Sequence, residues 1–213
     1  MKRILSFSFL FLVSAAPAFA RVPVINSLAV EVPLDGGLMV MGSRTWQLNK
    51  YIGVGLVAGG GQINRDFDLE TTSGQKWNAE TKAIIFPFVG PQVTLMFNWI
   101  GISVGYAAYY ADTDLTVKSD TLGTLTGNTT GWGSGFYSPL LSLDFYDQKH
   151  DLVFGFGLGG FLGGTYPDLE AKSAAGKITT DESPIDTLTF HLKVAWADGR
   201  FNRLQQRASK DDF

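Results

Sequence analysis

Residues 152–166 read LVFGFGLGGFLGGTY. Leu152, Phe154, Phe156, Leu158 and Leu162 fall on one parity, and Gly155, Gly157, Gly159 and Gly163 fall on the other. A period of two places successive Cβ atoms on opposite faces of a β-strand. One face of this strand is bulky and apolar. The other is nearly bare backbone, relieved by Phe161. A sheet in water alternates apolar with polar, because its second face is hydrated. A strand with apolar bulk outside and glycine inside fits a narrow transmembrane barrel, whose outer wall meets lipid and whose interior is crowded. Gly155, Gly157 and Gly160 also match the G-x-G-x-x-G spacing of dinucleotide-binding turns. That motif lies between a strand and a helix. Here the glycines are inside the strand and no helical period follows, so the nucleotide reading is set aside.

The same alternation recurs on both sides. In 187–196, Leu188, Phe190, Leu192, Val194 and Trp196 share one face, and Thr187, Thr189, His191, Lys193 and Ala195 share the other. In 27–34, Leu28, Val30, Val32 and Leu34 oppose Ser27, Ala29, Glu31 and Pro33. Asp35-Gly36-Gly37 is a tight-turn signal, and 38–48 returns. On that strand Arg44 shares a parity with Leu38, Val40 and Trp46. A charge facing lipid is costly, so a bulge near Gly42 is expected to swing Arg44 inward. Residues 51–61 and 99–111 alternate apolar with small residues, and 62–70 continues as a polar extension. Residues 83–97 change parity, with Val89-Gly90-Pro91 as the expected kink. In 132–146, Tyr137, Leu141, Leu143 and Phe145 are expected outside, and Ser138, Leu140, Ser142 and Asp144 inside. The polar stretches 71–76, 112–130 and 167–184 read as loops.

These segments make eight strands: an all-β, antiparallel, up-and-down transmembrane barrel. Short turns alternate with longer loops after the first hairpin, which predicts periplasmic turns, external loops and both termini in the periplasm. Aromatic residues gather at the two ends. Trp46, Tyr51, Trp99 and Trp196 form one expected girdle, and Tyr110, Trp132 and Tyr166 the other. A soluble β-sandwich would also bury aromatics, but its outer faces would carry charge.

Met1-Lys2-Arg3, the apolar run 4–13 and Ala18-Phe19-Ala20 form a secretory signal peptide over 1–20. The expected division is then 1–20 leader, 21–201 barrel and 202–213 polar periplasmic tail. Losing Lys2 and Arg3 with the leader takes the formal charge from −3 to −5, which offers no basic surface for nucleic acid. The chain has no cysteine, hence no disulfides and no thiolate chemistry.

The architecture and the final strand LTFHLKVAW resemble the small eight-stranded outer-membrane barrels of Gram-negative bacteria, such as the OmpA transmembrane domain, OmpX and OmpW. The resemblance implies a monomer in contact with outer-membrane lipids and lipopolysaccharide, handled during biogenesis by the outer-membrane assembly machinery. Such barrels end on an aromatic that closes the last strand. Here the last clean strand ends near Trp196 or Phe201, a polar tail follows, and Phe213 is terminal. The inward charges form an expected lumen cluster of Glu31, Arg44, Asp144, His191 and Lys193. Glu31 is expected to pair with Lys193, or with Arg44 across the bulge. The leading expectation is an anchoring, structural or display role without enzymatic activity. A lipid-modifying barrel enzyme would draw on His191, Ser142 and Asp144. However, His191-Leu192-Lys193 lacks the His-x-Ser arrangement of lipid A deacylases. A narrow pore for small or apolar solutes is the third reading. No His, Asp and Glu spacing suggests a metal, and no cofactor is implied.

Overall fold

A computed structural model describes residues 24–49, 51–70, 76–97, 100–120, 122–147, 152–174 and 176–197. The expected leader and the 202–213 tail lie outside these residues. The described residues contain ten strands and no helix: β1 (Val24–Pro33), β2 (Gly37–Gln47), β3 (Ile52–Glu70), β4 (Lys76–Phe97), β5 (Ile100–Ser119), β6 (Gly123–Asp147), β7 (Leu152–Thr165), β8 (Leu169–Ser173), β9 (Gly176–Thr180) and β10 (Thr187–Ala197). Eight of them close a ring, β1 to β7 in chain order and then β10, which pairs back onto β1. Every pairing is antiparallel. Around the ring, closure removes the free sheet edges, the condition for crossing lipid with strands, whereas beyond Ile63 the β3 extension pairs with β4 alone.

The period-2 faces fall as the alternation dictates. Leu188, Phe190, Leu192, Val194 and Trp196 on β10 are exposed, and Thr187, Thr189, His191 and Ala195 are buried. On β7, Phe154, Phe156, Leu158 and Leu162 point out, Gly155 and Gly159 are buried, and Phe161 is fully inside. The inward glycines are needed for close approach: a Cβ on Gly90 would stand 2.2 Å from the Tyr106 carbonyl oxygen. The β1–β2 turn uses two residues in the left-handed region, Gly36 and Gly37, both at φ 111°. Only glycine adopts that without strain.

The structure corrects the sequence expectations in several places. The β1–β2 ladder is unbroken from Val24↔Trp46 to Glu31↔Met39, with Gly42 opposite Leu28. No bulge forms there, so Arg44 keeps its parity and is exposed on the outer wall. The parity change on β4 comes at Ile85–Phe88, ahead of residues 89–91, and turns Phe88 inward. Pro87 sits inside that irregularity, where its missing N–H costs no ladder bond. The irregularity at Ser138/Leu141 adds a residue to β6, so Tyr137 turns inward rather than outward while Leu143 stays on the outer wall.

Residues 112–130 continue β5 and β6 as a long hairpin rather than a loop. Residues 167–184 hold a further hairpin, β8–β9, joined to β6 at Thr126↔Lys172. Together with the β3–β4 extension, these hairpins bury a second apolar cluster: Ala79, Leu115, Val117, Leu125, Leu169 and Ala171. The barrel therefore carries a folded head at the end opposite the start of β1 and the end of β10.

Candidate functional site

The barrel interior is the place where buried polar chemistry and apolar packing meet. At its middle, β1 sets Glu31 inward, directly opposite His191 on β10. Glu31 has 0% exposure and His191 2%. A buried carboxylate is tolerable only when hydrogen bonds replace its water. Tyr137 Oη donates to Glu31 Oε1 at 2.8 Å, and Thr189 Oγ1 donates to Oε2 at 2.8 Å. Lys193 stands opposite Ala29, diagonal to Glu31 on the same face, and is near enough for its charge to act on the carboxylate. The hydroxyls of Tyr137 and Thr189 thus give each carboxylate oxygen one hydrogen bond.

Above this carboxylate an aromatic layer closes the bore. Phe88 meets Tyr137 and Phe161 edge-on at 5.9 and 5.5 Å, and Tyr137 lies 5.4 Å from Phe161. Met39, Met41, Val57, Ile63, Ile85 and Tyr109 complete the buried cluster. Toward the head, residues 181–186 dip into the mouth. Ile185 is 1% exposed and belongs to the same cluster. Arg65 Nη1 ties this segment down by donating to Glu182 Oε2 at 2.9 Å and to the Ser183 carbonyl at 2.7 Å. On the other flank the Gly164 N–H donates to Asp186 Oδ1 at 2.9 Å. Tyr166 stacks on Tyr109 at 6.1 Å, and its single hydroxyl proton is shared between the carbonyls of Ala111 and Thr129, each 2.8 Å away. Burial pushes its phenol up from the ordinary value near 10.

Toward the turn end the interior is polar and half-buried at Ser27, Ser43, Thr94 and Ser103. Ser27 and Ser43 hydroxyls lie 2.7 Å apart, and Gln92 Nε2 donates to Thr45 Oγ1 at 3.0 Å. Thr94 and Ser103 hydroxyls are 2.9 Å apart, and Ser138 Oγ donates to the Ser103 carbonyl at 3.0 Å. Among the described residues no group of His, Asp and Glu could hold a metal ion.

The sequence-predicted residues are distributed unevenly over this geometry. Glu31, His191 and Lys193 share the interior face of the β1–β10 seam. Arg44 leaves the expected lumen cluster for the outer wall, because the β1–β2 register never slips. The backbones of Ser142 and Asp144 pair with Gly157 and Gly155, and their side chains lie outside the described residues. Of the expected girdle, Trp46, Tyr51, Tyr110, Trp132 and Trp196 stand on the outer face, with Tyr110 and Trp132 in edge contact at 5.6 Å. Trp99 lies outside the described residues. Tyr166 turns inward to close the mouth instead of joining the girdle. Tyr137, Arg65, Tyr109 and Ile185 are the interior residues that sequence reasoning did not assign to the site. Only Tyr109 carried a usable signal, through its parity with Gly105 and Ala107.

These features define the class: an eight-stranded antiparallel β-barrel with an apolar outer wall, a filled bore and a folded head. No protein-family model matches the chain, and no curated protein matches its sequence. Solved structures to which it is similar are small outer-membrane β-barrel proteins. One is CarO of Acinetobacter baumannii, at 14% identity over 82% of this chain and 97% of that one, with a TM-score of 0.43. Another is a major outer membrane protein of Thermus thermophilus, at 11% identity over 82% and 99%, with a TM-score of 0.39. A third is the outer membrane protein Ail of Yersinia pestis, at 13% identity over 83% and 99%, with a TM-score of 0.33.

Proposed function

We propose that this chain is an outer-membrane barrel of a Gram-negative bacterium that anchors and displays a folded extramembrane head without opening a channel. The observation that carries the reading is the pairing of two opposite surfaces on one ring. The outer wall exposes Leu28, Val40, Val93, Phe156, Phe190 and Leu192, among others, and the bore is filled by the Met39–Phe88–Tyr137–Phe161–Ile185 cluster. Water cannot hydrate that wall cheaply, whereas lipid requires it.

In this reading the 1–20 leader is removed on export and the outer-membrane assembly machinery inserts the barrel. The termini and the 202–213 tail lie in the periplasm. The head then faces outward, beyond the Tyr110–Trp132 pair, among lipopolysaccharide. The enzyme reading has less to support it, since His191 is enclosed in the bore beside Glu31 rather than set on the lipid-facing wall.

Cell fractionation tests the reading, together with a gel comparing heated and unheated samples. The protein is expected in the outer-membrane fraction and is expected to migrate faster unheated. Recovery as a soluble periplasmic protein without detergent overturns the proposal.

A further inference from the structure

The outer wall of the barrel carries one cation in its membrane-facing part among the described residues, Arg44 on β2. Its outward neighbours are uncharged: Asn26 on β1 and Leu56 on β3 sit directly opposite it, and Gly42 and Trp46 flank it along the strand. The guanidinium carbon lies 5.8 Å from the Trp46 ring centroid. Trp46 is a girdle residue, and Arg44 is set two positions deeper, about 5 Å along the axis of a tilted strand. An arginine at that depth extends its head toward the interface, where anionic groups of lipid are the available counter-charge.

A second feature lies beside it. Gly42 faces outward, and a Cβ built there would meet nothing closer than the Ala58 carbonyl oxygen at 3.8 Å. Gly42 pairs with Ala58, so two small residues in adjacent strands leave a furrow in the apolar wall, bordered by Leu28, Val40 and Leu56. The furrow runs from Arg44 away from the Trp46 end, in the direction an acyl chain takes below its headgroup.

We propose that Arg44 and Asn26 form a phospholipid site on the outer wall. The headgroup phosphate is held by the Arg44 guanidinium and the Asn26 amide beside Trp46, and one acyl chain lies over Gly42 and Ala58. The ligand class is a glycerophospholipid of the leaflet at the turn end, because phosphate and chain are required together. This site rests on the membrane reading above.

The test uses the purified full-length mature protein in dodecyl maltoside, with native mass spectrometry counting bound lipid. Phosphatidylglycerol and a diacylglycerol with the same chains are titrated in parallel. Loss of a charge-assisted hydrogen bond is worth about tenfold or more in affinity, so the wild type is expected to prefer phosphatidylglycerol by about that factor. Arg44→Gln is expected to bring the two lipids level, and Gly42→Leu to weaken both. Lys82→Gln, on the head, is expected to leave the preference unchanged. Arg44→Leu serves the same purpose if the glutamine variant folds poorly, as judged by the heat shift on gels. An undiminished preference for phosphatidylglycerol in folded Arg44 variants overturns the site and leaves the membrane reading standing. Displacement of the lipid by excess inorganic phosphate also overturns it, in favour of a free-anion site. A wild type that shows no heat shift and stays soluble without detergent overturns the membrane reading itself, and the site with it.

Discussion

Tyr137 and Thr189 each give a hydroxyl proton to one oxygen of Glu31, so either can be removed without disturbing the other. Tyr137→Phe keeps the ring that packs on Phe88 and Phe161 and deletes only the donor. Leaving a buried carboxylate oxygen short of that bond costs about 1–3 kcal/mol. Urea unfolding from lipid vesicles is expected to show this loss, and the loss is expected to shrink when Glu31 is already Gln. Additive effects of Tyr137→Phe and Glu31→Gln would show that the contact carries no energy. On the opposite face of the seam, Leu192 is 63% exposed. An arginine there is expected to cost about 2–4 kcal/mol if the site lies near the bilayer midplane. Arginine at Thr189, fully buried beside Glu31, meets packing and a carboxylate instead of lipid, so its cost is expected to vary little with bilayer thickness. Equal responses of the two variants to thicker and thinner bilayers would contradict the face assignment.

Among the elements, the segment 181–186 is held by the barrel cluster, by one side chain of β3 and by one backbone N–H at β7, which makes it a stopper and not a passing loop. Ile185 enters the barrel cluster, Arg65 on β3 holds Glu182 and Ser183, and Gly164 on β7 holds Asp186. Ile185→Ala is expected to cost about 2–5 kcal/mol, the range for truncating a well-packed core residue, measured by the same unfolding assay. Beside it, Tyr166 is folded with its phenol proton committed to backbone carbonyls. Burial raises its pKa in the folded state above the ordinary value near 10. The unfolded chain therefore releases this proton first as pH rises. The stability Tyr166 contributes is full below about pH 10 and declines as pH rises toward the folded-state value. Tyr166→Phe is expected to flatten that alkaline decline.

How much of this was legible follows from periodicity. The faces of β7 and β10 could be read because each keeps one parity from end to end. Phe88 and Tyr137 could not be placed, since an irregularity of one residue reverses every side chain beyond it and leaves no local mark except a proline or serine. The head was hidden by composition. Among the described residues of 112–130, the buried ones are Thr113, Leu115, Val117, Ser119 and Leu125, set among Asp, Thr and Gly that signal turns. Arg44 departs from expectation for a different reason. The ladder stays unbroken, and a long side chain near a tryptophan girdle meets the cost of charge in lipid by reaching the interface.

At the scale of the whole molecule, the question is whether a ring of eight strands can pass solute. A barrel of this size has room for side chains and little else. Here the available room is taken at two levels. The Phe88 ring meets Tyr137 and Phe161 edge-on across the middle, and Ile185 occupies the mouth above them. Each layer by itself crosses the bore, so either is expected to block it when the other is lost. In series, they must open together for a continuous water path. Purified wild-type protein in planar bilayers is therefore expected to give no discrete conductance steps. Ile185→Gly removes the upper layer only and is expected to stay silent. Phe161→Gly removes the ring that both other aromatics contact and leaves glycine-lined β7 facing the bore, yet the Ile185 stopper remains, so it too is expected to stay silent. Conductance is expected only when the two changes are combined, provided the double variant still shows the heat shift of a folded barrel. Steps in the wild type would overturn the display reading in favour of a pore. Steps in Ile185→Gly alone would show that the aromatic layer does not seal and that the stopper carries the whole barrier.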